Sequence, residues 1–264
     1  MDPRIPPTPV AVVAAHPDDE TLGLGGRLAQ FEALTLIHIT AGAPADMQDA
    51  RRNGFETAEE YATARRRELG GALATLGAAP SHTLAYEYRD KEAVLELTPL
   101  ALRLVHDLAD ARVVITHPYE HGHPDHDAAA FAVHSACALL ARRRVPPTIL
   151  EFPSYHLRDD QVIFGRFWPD SQCEEYVVAL STEERERKSR ALACFVTQRE
   201  LVQAFPLAEE RYRVAPAYDF SRPAPPRSAF YDRLGWGITS DIWREYAAAA
   251  RVELGLDATL EAVS

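Results

Sequence analysis

The chain reads Ala15-His16-Pro17-Asp18-Asp19-Glu20 directly after an apolar run, and much later His123-Pro124-Asp125-His126. His16 and Asp19 stand three apart, as do His123 and His126. On the first turn of a helix, or the tight turn entering it, residues i and i+3 lie on one side. An imidazole and a carboxylate can then hold one ion. The economical set is His16, Asp19 and His126, with one position left for water, the pattern of a catalytic rather than a structural zinc. Bound zinc brings the pKa of its water to about 7. Asp18 stands beside these ligands without a ligand role and is the natural general base. His123 would face the substrate, donating to a developing oxyanion and supplying a proton to the leaving nitrogen. Asp125 would orient it, as carboxylates often do for functional imidazoles. Pro17 and Pro124 stiffen the turns that aim these groups. The same donors also suit Fe²⁺ or another divalent ion.

Plainer readings exist for each cluster. An acidic run after a strand is often only a helix cap, which would suffice for Asp19 or Glu20 alone. A histidine-rich tract can bind metal adventitiously at a surface, and His117, His121, His123 and His126 share one loop. That reading leaves the first cluster unexplained.

The elements that must carry these residues are legible in the periodicity. Residues 10–15 form a short valine-rich run that reads as a buried strand. Helical spacing follows over 22–31, opened by Asp18 to Thr21, and a second strand over 34–40. Residues 42–54 lack periodicity and read as a mobile loop. A long amphipathic helix over 57–76 stops at Gly77. A strand at 83–88, a helix at 98–109, a strand at 112–116, a helix at 126–144 and a strand at 148–152 continue the alternation. This order predicts an α/β, Rossmann-like fold: a mostly parallel sheet with helices on both faces. Both histidine clusters then lie beyond the carboxyl ends of strands, where such sheets bind ligands. They meet if the first and fourth strands are neighbours.

After Tyr155 the pattern changes. A strand at 175–180, a charged helix at 182–195, a proline-rich surface loop at 215–227 and a helix at 238–254 are expected. With no repeat or linker, residues 1–264 read as one domain, with a core of about 8–155 and a C-terminal elaboration of about 156–264.

Composition bounds the partners. The 264 residues carry a net charge of −11 and are 47% hydrophobic. That argues against general attraction to nucleic acid or anionic membrane. No apolar stretch is long enough to span a bilayer. Cys137, Cys173 and Cys194 are odd in number and unpatterned, which suits a reducing cytoplasm. The N-terminal residues lack the features of a secretion signal.

At the two histidine motifs the sequence resembles the PIG-L/LmbE-like family of zinc-dependent N-deacetylases. Both family motifs stand without substitution, and the resemblance spans roughly residues 8–155, with weaker similarity through 188–198. The resemblance implies a Rossmann-like fold and removal of an N-acetyl group from an N-acetylglucosamine-type sugar or conjugate. By position it implies His16, Asp19 and His126 as zinc ligands, Asp18 as general base and His123 as the oxyanion and proton-donating histidine. It also implies Arg65 and Asp90 as sugar contacts. A solvated helix face is the plainer reading for Arg65, which lies in an Arg65-Arg66-Arg67 run.

Two departures bear on the substrate. Where some members carry a tyrosine that helps the oxyanion, this chain has His121, able to donate the same bond with a different pH response. The Gly-Gly often found there is Glu120-His121-Gly122. Near the C-terminus, Gly235-Trp236-Gly237 offers a ring that could stack on a sugar. Ordinary packing of Phe230, Tyr231, Trp236 and Trp243 on the core or a second subunit is preferred, and such a surface makes a homo-oligomer reasonable. The alternative activity is a zinc amidase cleaving a larger acyl group from a thiol or peptide-like conjugate. A binding protein without turnover is disfavoured, because it needs neither Asp18 nor His123.

Overall fold

The computed structural model describes residues 8–225 and 228–256. The reading of the N-terminal residues therefore falls largely outside the described residues. Strand β1 (Pro9–Ala14) is followed by α1 (Asp19–Leu24), β2 (Ala33–Pro44), α2 (Gln48–Arg52), α3 (Ala58–Leu76), β3 (His82–Asp90), α4 (Leu97–Asp107), β4 (Val113–Thr116), α5 (Pro124–Ala141) and β5 (Thr148–Glu151). Then come β6 (Tyr155–Arg158), β7 (Gln161–Phe164), β8 (Glu175–Ala179), α6 (Thr182–Leu192), α7 (Arg199–Gln203), β9 (Glu209–Val214) and α8 (Ser240–Glu253).

The sheet runs β3-β2-β1-β4-β5-β9-β8, and β6 and β7 form a separate hairpin. The first five strands in this order are parallel, whereas β9 and β8 join antiparallel at the β5 edge. The parallel α/β architecture is therefore present, and the elaboration extends the same sheet. β1 lies between β2 and β4, with Val12 opposite Ile115. Its successive side chains feed opposite faces, as strand geometry requires. Ala11 and Val13 join a core with α4, α5 and α8, whereas Val10 and Val12 join one with Leu69, Leu76, Leu192 and Phe195.

Local rules explain the long helices. At α3, Thr57 and Glu60 form a reciprocal capping box, and Gly77 closes the helix with φ 72°, a left-handed turn that glycine adopts freely. At α5, His123 is the N-cap and Pro124 the first residue, where a missing N–H costs nothing.

Three expectations are corrected. The helix expected over 22–31 ends at Leu24, and a separate 3-10 turn covers Leu28–Gln30. A Cβ on Gly26 would lie 2.6 Å from Leu180, so close packing by the elaboration takes the place of a continued helix. The loop expected over 42–54 is instead the end of β2, pairing as far as Pro44 with Asp90, followed by α2. Ala43 and Ala50 anchor it against Tyr61 and Ala62. Strand β9 escaped because Glu209-Glu210-Arg211-Tyr212-Arg213 reads as surface. Its charges are paired instead: Arg213 donates to Glu151 at 2.7 Å and Glu120 at 3.0 Å, and Arg211 to Glu175 at 2.7 Å.

The proline-rich segment is ordered loop through residue 225, with Phe220 and Ala224 in the core; residues 226–227 lie outside the described residues. Among the described residues no helix is long and apolar enough to cross a membrane.

Candidate metal centre and substrate pocket

Both motifs leave the carboxyl ends of adjacent parallel strands, so sheet register brings them together. The first turn is tight: Asp18 N–H donates to the His16 carbonyl at 2.9 Å. Thr40 of β2 holds the Ala15 carbonyl through its N–H at 2.9 Å and its hydroxyl at 3.0 Å. Ala15 N–H donates across to His117 Nε2 at 3.0 Å, tying the first motif to the end of β4. Glu20 is fully buried and structural, accepting from the Thr21 hydroxyl at 2.5 Å and facing His38 Nε2 at 2.9 Å. On the far side, the Trp243 indole donates to the Pro124 carbonyl at 3.1 Å, so α8 buttresses the start of α5.

His16, Asp19 and His126 converge, their nearest donor atoms all within 4.8 Å of one another. His16 Nδ1 lies 3.2 Å from Asp19 Oδ2, and His126 Nε2 lies 3.4 Å from Asp19 Oδ1. Both ring nitrogens of His126 are buried without a hydrogen-bond partner. Orphaned buried nitrogens are rare because they cost free energy. Here one faces a carboxylate and an imidazole, so the donor set fits a divalent cation. His16 Nε2 faces Asp90 Oδ1 at 3.1 Å and Asp125 Oδ2 at 3.3 Å. Burial opposes a charge on His16, but Asp90, Asp125 and Asp19 outweigh it and hold the ring's pKa well above the usual value. Asp90 and Asp125 would hold a proton on Nε2, which would leave Nδ1, beside Asp19, available to a cation. Burial likewise opposes ionisation of Asp19, and His126 and His117 overcome it, leaving the carboxyl well below its usual range.

Asp18 is buried beside this set. Burial pushes its pKa up to about 6 against the pull of Arg65. Arg65 is 3% exposed and donates to Asp18 Oδ2 at 3.0 Å and to the Gly42 carbonyl at 3.0 Å. The solvated helix face is thus corrected: Arg65 lines the pocket, with its guanidinium committed first to Asp18. Gly42 has φ 63°, and a Cβ there would lie 2.8 Å from Arg65 Nη1, so glycine lets the cation lie against β2.

His123 faces the same cavity. Burial and the neighbouring His16 hold its pKa well below the usual value, so the ring is neutral. Its Nδ1 accepts from Asp125 N–H at 3.2 Å, which leaves the proton on Nε2, 3.7 Å from Asp90 Oδ1. The expected role of Asp125 is corrected: its carboxylate is 3.9 Å from His123 Nδ1, and its backbone does the orienting. That carboxylate accepts instead from Lys91 N–H at 2.6 Å and Ala93 N–H at 3.1 Å, fixing the turn after Asp90.

His121 is turned away from the pocket. It is fully buried at φ 57°. Its Nδ1 meets Asp127 at 2.7 Å and its Nε2 accepts from Ala224 N–H at 2.9 Å. Both nitrogens are occupied, so the substrate contact expected there is corrected to a structural tie. His121→Ala is expected to cost about 1–3 kcal/mol through unpaired buried partners. Denaturant unfolding should show that loss while the pH–rate profile keeps its shape; a moved profile would return His121 to the site.

Three further residues stand at the site: two the sequence reading left out, and Trp236, for which it preferred ordinary packing. His117 stacks on His126 with centroids 4.1 Å apart and lies 3.3 Å from Asp19; it stood in view among the clustered histidines. Tyr155 lines the cavity with its ring 5.3 Å from that of His126. Burial and the carboxylates keep its phenol protonated. Trp236 also lines the cavity, 5.0 Å from the His123 ring, with Lys91 Nζ 4.7 Å from its centroid. The packing preferred for the tail aromatics applies to Tyr231 and Trp243, both buried, but not to Trp236. Its flanking Gly235 and Gly237 both take positive φ, a backbone that swings the indole over the site.

Comparison with known proteins bears on the fold and on the stretch that carries both motifs. Residues 11–137 match the family model described as PIG-L: GlcNAc-PI de-N-acetylase. A probable N-acetyl-alpha-D-glucosaminyl L-malate deacetylase 2 from Bacillus anthracis is 32% identical over 146 residues, covering 52% of this chain and 62% of the relative. A 1D-myo-inositol 2-acetamido-2-deoxy-alpha-D-glucopyranoside deacetylase from Acidothermus cellulolyticus is 31% identical over 140 residues, covering 44% of this chain and 48% of that protein. The match thus spans roughly half to three-fifths of these relatives' lengths. Among solved structures, a deacetylase of teicoplanin biosynthesis superposes with a TM-score of 0.62 at 17% identity, over 80% of this chain and all of that one. At that identity the likeness is one of fold. Residues 11–137, the stretch that matches the PIG-L family model, contain both histidine motifs.

Proposed function

We propose that this protein removes the N-acetyl group from an N-acetylglucosamine-type sugar or conjugate, with a divalent ion held by His16, Asp19 and His126. The observation that carries this reading is the orphaned Nε2 of His126 beside Asp19, with Asp18 and a neutral His123 on the same cavity. When bound, zinc would act as a Lewis acid and lower the pKa of water at the site. Asp18 accepts the proton of the attacking water, and Arg65 holds it in place. His123 Nε2–H donates to the carbonyl oxygen as it gains charge, and the Tyr155 phenol is a second donor on the same wall. A neutral His123 suits a hydrogen-bond donor better than a starting acid. Asp18 therefore returns the proton to nitrogen as the C–N bond breaks, giving acetate and the free amine. Asp90, at the mouth, accepts from sugar hydroxyls. The three cysteines are free thiols, in keeping with a reducing cytoplasm.

The chamber around these groups holds about 240 Å³. Small-molecule sites commonly enclose about 300–1,000 Å³, so it favours acetyl over the longer acyl groups of an amidase. Acetate release from N-acetylglucosamine glycosides should vanish on chelation and return with zinc, and N-hexanoyl analogues should turn over more slowly. Undiminished turnover after chelation, or faster cleavage of the longer chain, defeats this reading.

A further inference from the structure

The two edges of the sheet differ in kind. At one end lies β3, whose pairing with β2 shifts register twice and whose Glu87 takes φ 60°. Glu87 and Arg89 are exposed there. Bulges and charges of this sort keep an edge from pairing further. At the other end lies β8, which has β9 as its one partner among the described residues. It holds an unbroken register over Glu175–Ala179 and carries neither proline nor lysine. Tyr176 is 51% exposed and Val177 48%. We propose that this edge is an interface, on which β8 of a second copy of this chain pairs antiparallel about a two-fold axis at Val177.

The backbone calls for an extended chain as the occupant. Leu180 N–H donates to the Ala208 carbonyl at 2.9 Å. Main-chain groups point alternately to the two sides of a strand. Tyr176 and Val178 therefore direct theirs at β9, whereas Glu175, Val177 and Ala179 direct theirs away from the sheet. Such a row of outward N–H and C=O groups is a template for another strand.

Register selects a second copy. With Val177 opposite its own counterpart, Glu175 faces Ala179 and Tyr176 faces Val178. Each of the three outward residues then exchanges N–H and C=O with the residue opposite. On one face of the ladder, Tyr176 and Val178 of both copies form an apolar block. On the other, Val177 meets Val177. Aromatic and β-branched side chains are favourable cross-strand partners. No like charges stand opposite each other. The two Glu175 side chains fall at opposite ends of the ladder, and each accepts from Arg211 of its own chain at 2.7 Å.

Charge at longer range agrees. A net −11 sets whole copies against each other. The stretch from β8 to β9, residues 175–214, has seven acidic and seven basic residues, so copies that meet here meet through a neutral part. The pair also closes on itself, whereas β8 against β3 would be head to tail and leave open ends.

A ladder this short belongs with the weaker specific interfaces, with Kd on the order of 10 µM. Sedimentation velocity of the full chain should show monomer passing to dimer as concentration rises through that value. Val177→Lys and Val177→Glu each set like charges against each other on the axis, and each should weaken the dimer about tenfold or more. An equimolar mixture of these two variants should dimerise again. Val177→Pro loses the outward N–H but none of the bonds to β9, and should stay monomeric with its thermal transition little moved. Val177 does not line the metal chamber, so deacetylation by the variants is not the readout. A wild type that stays monomeric at about 100 µM, tenfold above that Kd, overturns the interface. So does an assembly that survives Val177→Lys, or a mixture of the Lys and Glu variants that fails to pair.

Discussion

On the proposed function, Asp18→Asn should slow amide hydrolysis by about 10²–10⁴ without loss of metal, the contribution expected of a positioned general base. Asparagine is the informative replacement because its carbonyl still accepts from Arg65. Alanine would strand a nearly fully buried guanidinium, mixing a folding defect into the rate. Rate per metal-loaded molecule, with metal content measured separately, is the readout. Turnover within a few-fold of wild type by a fully loaded variant would remove Asp18 from the proton path. The pH profile adds a signed check. Burial lifts the Asp18 pKa to about 6 and Arg65 pulls it down. As the proposed base, Asp18 would work only when ionised, so the wild-type rate should fall as pH drops through its pKa. Arg65→Gln removes the pull, and the acidic limb should move to higher pH.

Lys188→Ala is expected to cost about 3–5 kcal/mol, the usual penalty for stranding one member of a buried ion pair. In a chain of this size that lowers Tm by on the order of 10 °C. Lys188 is 1% exposed and donates to Glu210 Oε1 at 2.7 Å and to the Leu22 carbonyl at 2.7 Å. Glu210 also accepts from Gly26 N–H at 2.7 Å and from the Tyr212 hydroxyl at 2.7 Å. The pair therefore grips the end of α1, the helix that begins at Asp19. Lys188→Met with Glu210→Gln removes both charges and keeps a carbonyl acceptor for Gly26 N–H, and most of the lost stability should return. Calorimetry on both variants decides it: a single variant as stable as wild type, or a double variant no better than the single, contradicts the pairing.

The parallel core and the convergence of the two motifs were legible because buried strands and helix-opening turns leave strong local patterns. Val10 to Ala14 is apolar throughout, and Thr57, Glu60 and Gly77 mark the limits of α3. What was not legible depended on contacts between distant segments. Nothing near Gly25-Gly26 announces that Leu180 will press on it. The charged run of β9 looks solvent-exposed until Glu151, Glu120 and Lys188 are placed beside it. His121 sits where an oxyanion donor is expected, but whether its ring faces the pocket is settled by Asp127 and Ala224. Trp236 was visible with its two glycines, yet only the fold shows which way they turn the ring.

The hydrogen bond from Ala15 to His117 has a consequence for biogenesis. Two of the three proposed cation ligands, His16 and Asp19, emerge from the ribosome early, and the third, His126, only after a long intervening stretch of chain has been made. Since β1 and β4 must lie side by side before His126 can approach His16, the nascent polypeptide offers an incomplete chelate until that late, long-range closure. On the proposed ligand set, the chelate would thus be complete only once β1 and β4 are paired.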